Sequence, residues 1–71
     1  MTASELIRAL GGAASMAEKL GLKRTAVAMW GSRGEVPGEH HLAVWQMALD
    51  AGVGWEPPGA DEIRARLKQV A

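Results

Sequence analysis

Residues 13–32, AASMAEKLGLKRTAVAMWGS, decide the fold of this 71-residue chain, because they read as two short helices joined by a tight turn. Met16, Ala17 and Leu20 share one face of the first helix. Gly21 then ends that helix, since glycine adopts a left-handed conformation at little cost. Ala17 is small enough to let a second helix cross closely. A small residue, a glycine four positions later and flanking apolar anchors together predict a helix-turn-helix.

The second helix of this stretch has an inward and an outward face. Val27 and Trp30, spaced i and i+3, mark the inward face. At roughly 100° per residue, the opposite face carries short or flexible side chains, namely Thr25, Ala28, Met29 and Ser32. Lys23 and Arg24 give the helix a cationic start. A protruding helix of this kind suits the major groove of B-DNA, whereas the alternative is a helical hairpin with a merely solvated outer face.

Length and composition exclude several classes of protein. The chain is long enough for one small domain, and without cysteine it has neither a disulfide nor a cysteine zinc site. No apolar run approaches the roughly 20 residues that span a bilayer, and no cationic leader precedes an apolar stretch. We therefore expect a cytoplasmic protein without membrane association.

The charge of the chain gives mixed evidence. Eight basic and eight acidic residues leave no net charge, which argues weakly against nucleic-acid binding because a basic excess is its usual footprint. Between residues 13 and 36, however, four residues are basic and two are acidic. Affinity scales with the phosphates that are neutralised, so we expect only weak non-specific binding to DNA.

Two further helices flank the central pair. The first, about residues 3–10, begins with a capping box formed by Thr2 and Glu5 and ends at a double glycine. The other, about residues 38–51, starts after Pro37. Its predicted stripe consists of Leu42, Trp45 and Leu49, broadened by Val44 and Ala48. A helix this apolar must be covered on more than one side, with a second subunit as one candidate cover.

The C-terminal part reads as a stiff connector and a last helix. Residues 55–59, WEPPG, cannot continue a helix because two prolines interrupt it. Asp61 is expected to cap the last helix, and its apolar stripe is Ile63, Leu67 and Val70. That stripe either folds back on its own domain or pairs with another chain. The prediction is an all-α bundle of about five helices, with residues 1–54 as the helix-turn-helix domain and 55–71 as connector and C-terminal helix.

Catalytic and metal-binding chemistry finds little support. His40 and His41 are adjacent, so their side chains point about 100° apart on a helix and are expected to be solvated or capping rather than metal ligands. No spacing suggests a catalytic triad or a nucleotide loop, and we expect neither an enzyme nor a cofactor. Trp30 and Trp45 lie on apolar stripes and are expected in the core. Trp55 either packs beneath the last helix or anchors a partner.

The segment from Leu10 to Trp45 resembles the Cro/CI-type helix-turn-helix regulators of phages and mobile elements, with the short YdaS-like group as the most similar. The matching residues are Leu10-Gly11-Gly12, Met16-Ala17, Leu20-Gly21-Leu22, Ala26-Val27, Trp30, Arg33-Gly34 and Val36-Pro37. The resemblance implies a lambda-repressor-like fold and a small repressor that binds operator DNA as a homodimer. Because the sequence shows no separate sensor domain, we expect no small-molecule effector.

By this resemblance, the base-reading positions are Arg24, Thr25, Ala28, Met29 and Ser32, and the phosphate contacts are Lys23 and Arg33. The chain departs from the family pattern at Lys23, where a Ser or Thr cap is common, and at Ala28 and Met29, where polar side chains are common. Apolar residues there would contact thymine methyl groups instead.

Two functional hypotheses follow from these patterns. The first is a sequence-specific DNA-binding regulator, for which the candidate dimer interface is Trp45, Leu49, Trp55, Ile63, Leu67 and Val70. The second is a protein-interaction module that uses Trp55 and the last helix, with a purely structural helix-turn-helix. The neutral net charge favours the second hypothesis.

Overall fold

The computed structural model describes residues 1–70, except for the side chain of Val70, and within this range it is all-helical. Its five helices are α1 (Ala3–Ala9), α2 (Ala13–Leu20), α3 (Arg24–Arg33), α4 (His41–Ala51) and α5 (Ala60–Val70). A 3₁₀ turn, Gly38–His40, leads into α4. The predicted all-α bundle of five helices is confirmed. None of the helices within the described range is long and apolar enough to cross a membrane.

The capping box predicted at the start of α1 is present. The Thr2 hydroxyl accepts the Glu5 backbone N–H at 3.1 Å, and the Glu5 carboxylate accepts the Thr2 backbone N–H at 3.1 Å. Hydrogen bonding of the Glu5 carboxylate, first by the Thr2 backbone N–H and then by the Thr2 hydroxyl, stabilises its ionised form and lowers the pKa of Glu5. The reciprocal bonding satisfies two N–H groups that the helix itself leaves without partners.

Glycines follow the C-terminal ends of α2 and α4, and the backbone geometry at these two ends is nearly identical. Gly21 follows α2 with φ +70°, and the Leu22 N–H donates to the Ala17 carbonyl at 2.8 Å. Gly52 follows α4 with the same φ, and the Val53 N–H donates to the Ala48 carbonyl at 2.8 Å. This six-to-one hydrogen bond around a left-handed residue satisfies carbonyl groups at the helix end.

The main core lies between α1, α2 and α3. Its members are Leu6, Ile7, Leu10, Met16, Ala17, Val27, Trp30, Val36 and Val44. Helices α2 and α3 are in the most extensive contact, and α1 packs on both. Gly31 lies at a close contact between α1 and α3, because a Cβ atom there would lie 3.2 Å from the Ser4 hydroxyl oxygen and 3.5 Å from the Ile7 Cδ1 atom. Val36, in the segment between α3 and α4, is buried as part of this core.

Helix α4 faces the core with the two residues that broaden its predicted stripe. Val44 and Ala48 are fully buried, whereas Leu42 and Leu49 are 64% and 61% exposed. Of the predicted stripe itself, Trp45 is buried, whereas Leu42 and Leu49 lie outside the core. The physical reason is that α4 is apolar around most of its circumference, and the smaller Val44 and Ala48 allow it to approach the other helices closely.

Helix α5 starts at Ala60, two residues earlier than a cap at Asp61 implies, and Asp61 is not its cap. The Ile63 N–H donates to the Gly59 carbonyl, and Asp61 is the second helical residue. The Asp61 carboxylate instead accepts a hydrogen bond from Arg64, which also pairs with Glu56. An acidic side chain in the first turn complements the helix dipole, as an acidic cap does. The sequence pattern at Asp61 therefore indicated a cap.

Candidate nucleic-acid interface

Helix α3 divides into a buried and an exposed face at the positions that the sequence indicated. Val27 is fully buried and Trp30 is 4% exposed. The five predicted base-reading residues are all exposed, namely Arg24, Thr25, Ala28, Met29 and Ser32. Neither the Trp55 segment nor α5 covers them. Their side chains are therefore accessible from outside the protein.

The buried face of α3 is held from several directions. Ala17 of α2 packs against it, and Gly31 brings it close to the Ser4 side of α1. The Trp30 indole also packs on the imidazole of His40, with ring centroids 5.2 Å apart. A helix braced in this way presents its outer side chains on a rigid support, which favours precise recognition of a partner.

The ends of α3 carry cationic side chains that are free to meet an anionic partner. Lys23, Arg24 and Arg33 are exposed. The ion pairs found within residues 1–70 all involve His40 or Arg64, so none of these three cations is paired with a carboxylate in that range. Phosphate contacts could form here without first breaking an internal ion pair.

Lys23 precedes α3 as an extended residue, and its side chain makes no capping hydrogen bond. The Ala26 N–H already donates to the Lys23 carbonyl at 3.0 Å, whereas the N–H groups of Arg24 and Thr25, at the start of α3, have no intrahelical partners and stay available to an external acceptor. A phosphate oxygen at this position would meet both the N–H groups and the Lys23 ammonium group. This local arrangement is consistent with the phosphate role predicted for Lys23.

The exposed face combines three kinds of recognition chemistry. Arg24 can donate two hydrogen bonds to guanine, and the hydroxyls of Thr25 and Ser32 can donate or accept. Ala28 and Met29 offer apolar contacts of the kind that thymine methyl groups make. Met29 is 49% exposed, which is unusual for a large apolar side chain that serves only the core.

The two adjacent histidines are neither freely solvated nor capping. His40 is half-buried against Trp30, and His41 is half-buried with its Nε2 atom 2.7 Å from the Val36 carbonyl oxygen. The His41 ring also meets the edge of Trp55, with centroids 6.1 Å apart. The expectation of a solvated or capping pair is corrected, because each ring packs on a different tryptophan. Within the described residues no group of three His, Cys, Asp or Glu side chains could hold a metal ion.

The predicted dimer residues fall into two locations. Trp45, Leu49, Ile63 and Leu67 line one groove of about 400 Å³ between α4 and α5, together with Leu42, Gln46 and Arg64. Trp55 lies elsewhere, on the main core beside His41. Val70 was also predicted here, but its side chain lies outside the described part of the chain. Leu42, which belongs to the predicted stripe of α4, also lines this groove, although it was not among the predicted dimer residues.

Comparison with known proteins identified no relative of this chain. No family model, no curated protein and no solved structure matches this chain. Functional inference therefore depends on the geometry of α3 and on the chemistry of its side chains.

Proposed function

We propose that this chain is a sequence-specific DNA-binding transcriptional regulator, of the Cro-like repressor type, that inserts α3 into the major groove. In this proposal, α2, the Gly21 turn and α3 act as a helix-turn-helix. The supporting observation is that α3 has one face in the core and the other exposed, with cations at both ends that form no ion pair within residues 1–70. The resemblance of residues 10–45 to Cro/CI-type regulators supports the same function.

The roles of the side chains follow from their positions on α3. Arg24, in the first turn, reads a base edge, and Thr25 and Ser32 add hydrogen bonds. Lys23 and Arg33 contact phosphates on either side, which fixes the position of the helix but carries no sequence information. One such helix contacts only about 3–5 base pairs, so two copies of the chain bound about 34 Å apart would specify an operator better than one.

Selection of duplexes from a random DNA library at low salt, followed by fluorescence anisotropy at two salt concentrations, tests the proposal. We expect Arg24→Ala to weaken binding to the selected duplex by about 1–3 kcal/mol and to relax the preference at one base. Lys23→Ala and Arg33→Ala should weaken all duplexes alike and each reduce the salt slope by about 1.

Arg66→Ala is the matched control, because Arg66 is an exposed arginine on α5, away from α3. It removes the same charge and should change affinity far less than Arg24→Ala. Equal effects of the two variants, or failure of the wild-type chain to bind any duplex at low salt, would contradict the proposal.

The second candidate function is a protein-interaction module, and the exposed apolar groove between α4 and α5 favours it. In that case, α3 would be a structural helix. The same selection experiment separates the two functions, because a pure interaction module enriches no DNA sequence.

A further inference from the structure

Helix α5 is held to the rest of the chain by few buried side chains. Among its described side chains, only Ala60 is buried, and Ile63 and Arg64 are half-buried. The main core includes none of these residues, and α5 is in extensive contact with no other helix over residues 1–70. A groove of about 400 Å³ lies between α4 and α5, and Leu67 in its wall is 63% exposed. Apolar packing therefore does little to fix α5 on α4.

Arg64 makes the polar and aromatic contacts that join α5 to its surroundings. Its guanidinium carbon lies 5.3 Å from the centroid of the Trp45 ring of α4. The same group pairs with the Glu56 carboxylate of the connector and the Asp61 carboxylate of α5. Contacts of these kinds are individually weak when they are partly exposed to water, so they break and re-form within the folded protein. We propose that α5 is a strap that opens from α4, and that Arg64 is the latch that holds it closed.

The connector provides a fixed base and a hinge for this motion. Trp55 packs on the main core beside His41, and Pro57 is buried, so the connector stays in place when α5 leaves. Gly59 comes directly before α5 and has φ +79°, in a region that glycine enters and leaves at little cost. Rotation of the backbone at Gly59 therefore swings α5 as a unit.

The two carboxylate partners of Arg64 separate when the strap opens. Glu56 stays with the connector, whereas Asp61 lies three residues before Arg64 in α5 and moves with it. The open strap thus keeps the hydrogen bond of 2.9 Å between Arg64 and Asp61 and loses only the contacts of Arg64 with Trp45 and Glu56. Because the guanidinium group retains a carboxylate partner, opening leaves no unpaired arginine and costs less free energy.

Opening of the strap changes the surface of α4. Trp45 is buried although it is not part of the main core, and the Arg64 guanidinium lies on its ring. Without this cover, Leu42, Trp45 and Leu49 form one continuous apolar face, which is the stripe predicted from the sequence. The latch therefore controls access to this face of α4. The inference goes beyond DNA binding and is independent of it, because neither the latch nor the hinge includes a residue of α3.

Hydrogen exchange of the backbone amides in the full chain, followed by NMR, tests the opening. Because α5 opens while the core stays folded, we expect its amides to be at least about a hundredfold less protected than those of α1 and α3. Arg64→Gln should lower the protection of α5 about tenfold further, since the contacts with Trp45 and Glu56 are lost, and should leave α3 unchanged. Arg66→Gln is the matched control, because Arg66 is exposed on the same helix and the change in helix propensity is the same.

A distance measurement tests whether α5 moves as a unit. The sequence contains no cysteine, so Ala14→Cys on α2 and Gln69→Cys on α5, both at exposed positions, can carry a pair of spin labels. Double electron–electron resonance should give two distances, one for the closed strap and one for the open strap. The open population should rise at about 1 M NaCl, where the Debye length of about 3 Å weakens the pairing of Arg64 with Glu56. Arg64→Gln should make the open distance the major one.

Several results would overturn the strap or its latch. Amides of α5 that are as protected as those of α3 would show that α5 unfolds only with the core. A single distance that neither salt nor Arg64→Gln changes would show that α5 stays on α4, and fast exchange would then reflect local fraying. Equal effects of Arg64→Gln and Arg66→Gln would show that Arg64 is not the latch.

Discussion

The α1–α3 region and the α4–α5 region of this small protein use large apolar residues differently. Leu6 and Met16 are completely buried in the first region, whereas Leu49 and Leu67 are more than 60% exposed in the second. The first region therefore uses large apolar side chains such as Leu6 and Met16 to fold a single chain, with Met29 on the outer face of α3 as an exception. The second keeps much of its apolar surface available, even though it is almost as rich in such residues. Hydrophobic content alone would not distinguish a folding core from a contact surface.

Truncation of one leucine in each region is the strongest test of this comparison. Leu6→Ala should cost about 2–5 kcal/mol because it leaves a cavity in a fully packed site. For a domain of this size, that loss is comparable with the whole free energy of unfolding. Leu49→Ala should change stability by less than about 0.5 kcal/mol, since its side chain is already in water.

Urea unfolding followed by circular dichroism measures both changes. Dilute samples keep the chain monomeric, so that association does not add to the apparent stability. Equal destabilisation by the two variants would show that the α4–α5 region is as tightly packed as the core, contrary to the comparison.

The similar glycine turns after α2 and α4 give a second test of the comparison between the two regions, with an expected stability change smaller than that of Leu6→Ala. Gly21→Ala and Gly52→Ala should each destabilise the chain by about 1 kcal/mol, because both positions have φ +70° and a Cβ atom is strained there. Neither Cβ atom would meet a neighbour within 4 Å, so the cost comes from the backbone alone. Gly38→Ala, at ordinary φ and in open space, is the control and should cost nothing.

Thermal unfolding measures these three variants. Equal costs at Gly21 and Gly52 mean that the end of α4 unfolds together with the core. A clearly smaller loss of stability from Gly52→Ala would mean that the C-terminal end of α4 unfolds separately from the core. The two regions would then be less coupled in energy than expected from the burial of Val44 of α4 in the main core.

The smallest expected effect concerns the start of α1. The capping box lowers the pKa of Glu5 in the folded state, so the carboxylate adds stability that is complete above the unfolded-state pKa. This contribution is lost as the pH falls through the lower folded-state pKa. Glu5→Gln should therefore reduce the acid sensitivity of the melting temperature, whereas Glu18→Gln, an exposed carboxylate outside the capping box, is the control. Identical pH profiles for wild type and Glu5→Gln would contradict this role.

Local signals in the sequence were sufficient for most helix boundaries. The capping box at Thr2 and Glu5 and the glycines at 21 and 34 each act through a few neighbouring residues, so their structures could be predicted without knowledge of the fold. The division of α3 into a buried and an exposed face was predictable for a similar reason, since Val27 and Trp30 are its large inward residues. The function of the exposed face stays a prediction.

Features that depend on packing between distant segments could not be predicted in this way. The apolar residues of α4 cover most of its surface, so periodicity does not determine which side faces the core. The Arg64 contact with Trp45 joins two helices that are separated by the proline connector, and no local pattern indicates it. Asp61 resembles a cap only because acidic residues are common both at the cap position and in the first turn of a helix. The hydrogen bond from the Ile63 N–H to the Gly59 carbonyl, which the sequence does not reveal, shows that α5 begins at Ala60.

The adjacent rings of His40 and His41 impose a constraint on the length of the segment before α4. His40 packs on Trp30 beneath α3, while His41 reaches the Val36 carbonyl and Trp55. Insertion or deletion of one residue between Val36 and His40 would displace His40 from Trp30 and His41 from the Val36 carbonyl at once, because both partners precede the change and both histidines follow it. This loop should therefore tolerate changes of residue type far better than changes of length, unlike most surface loops.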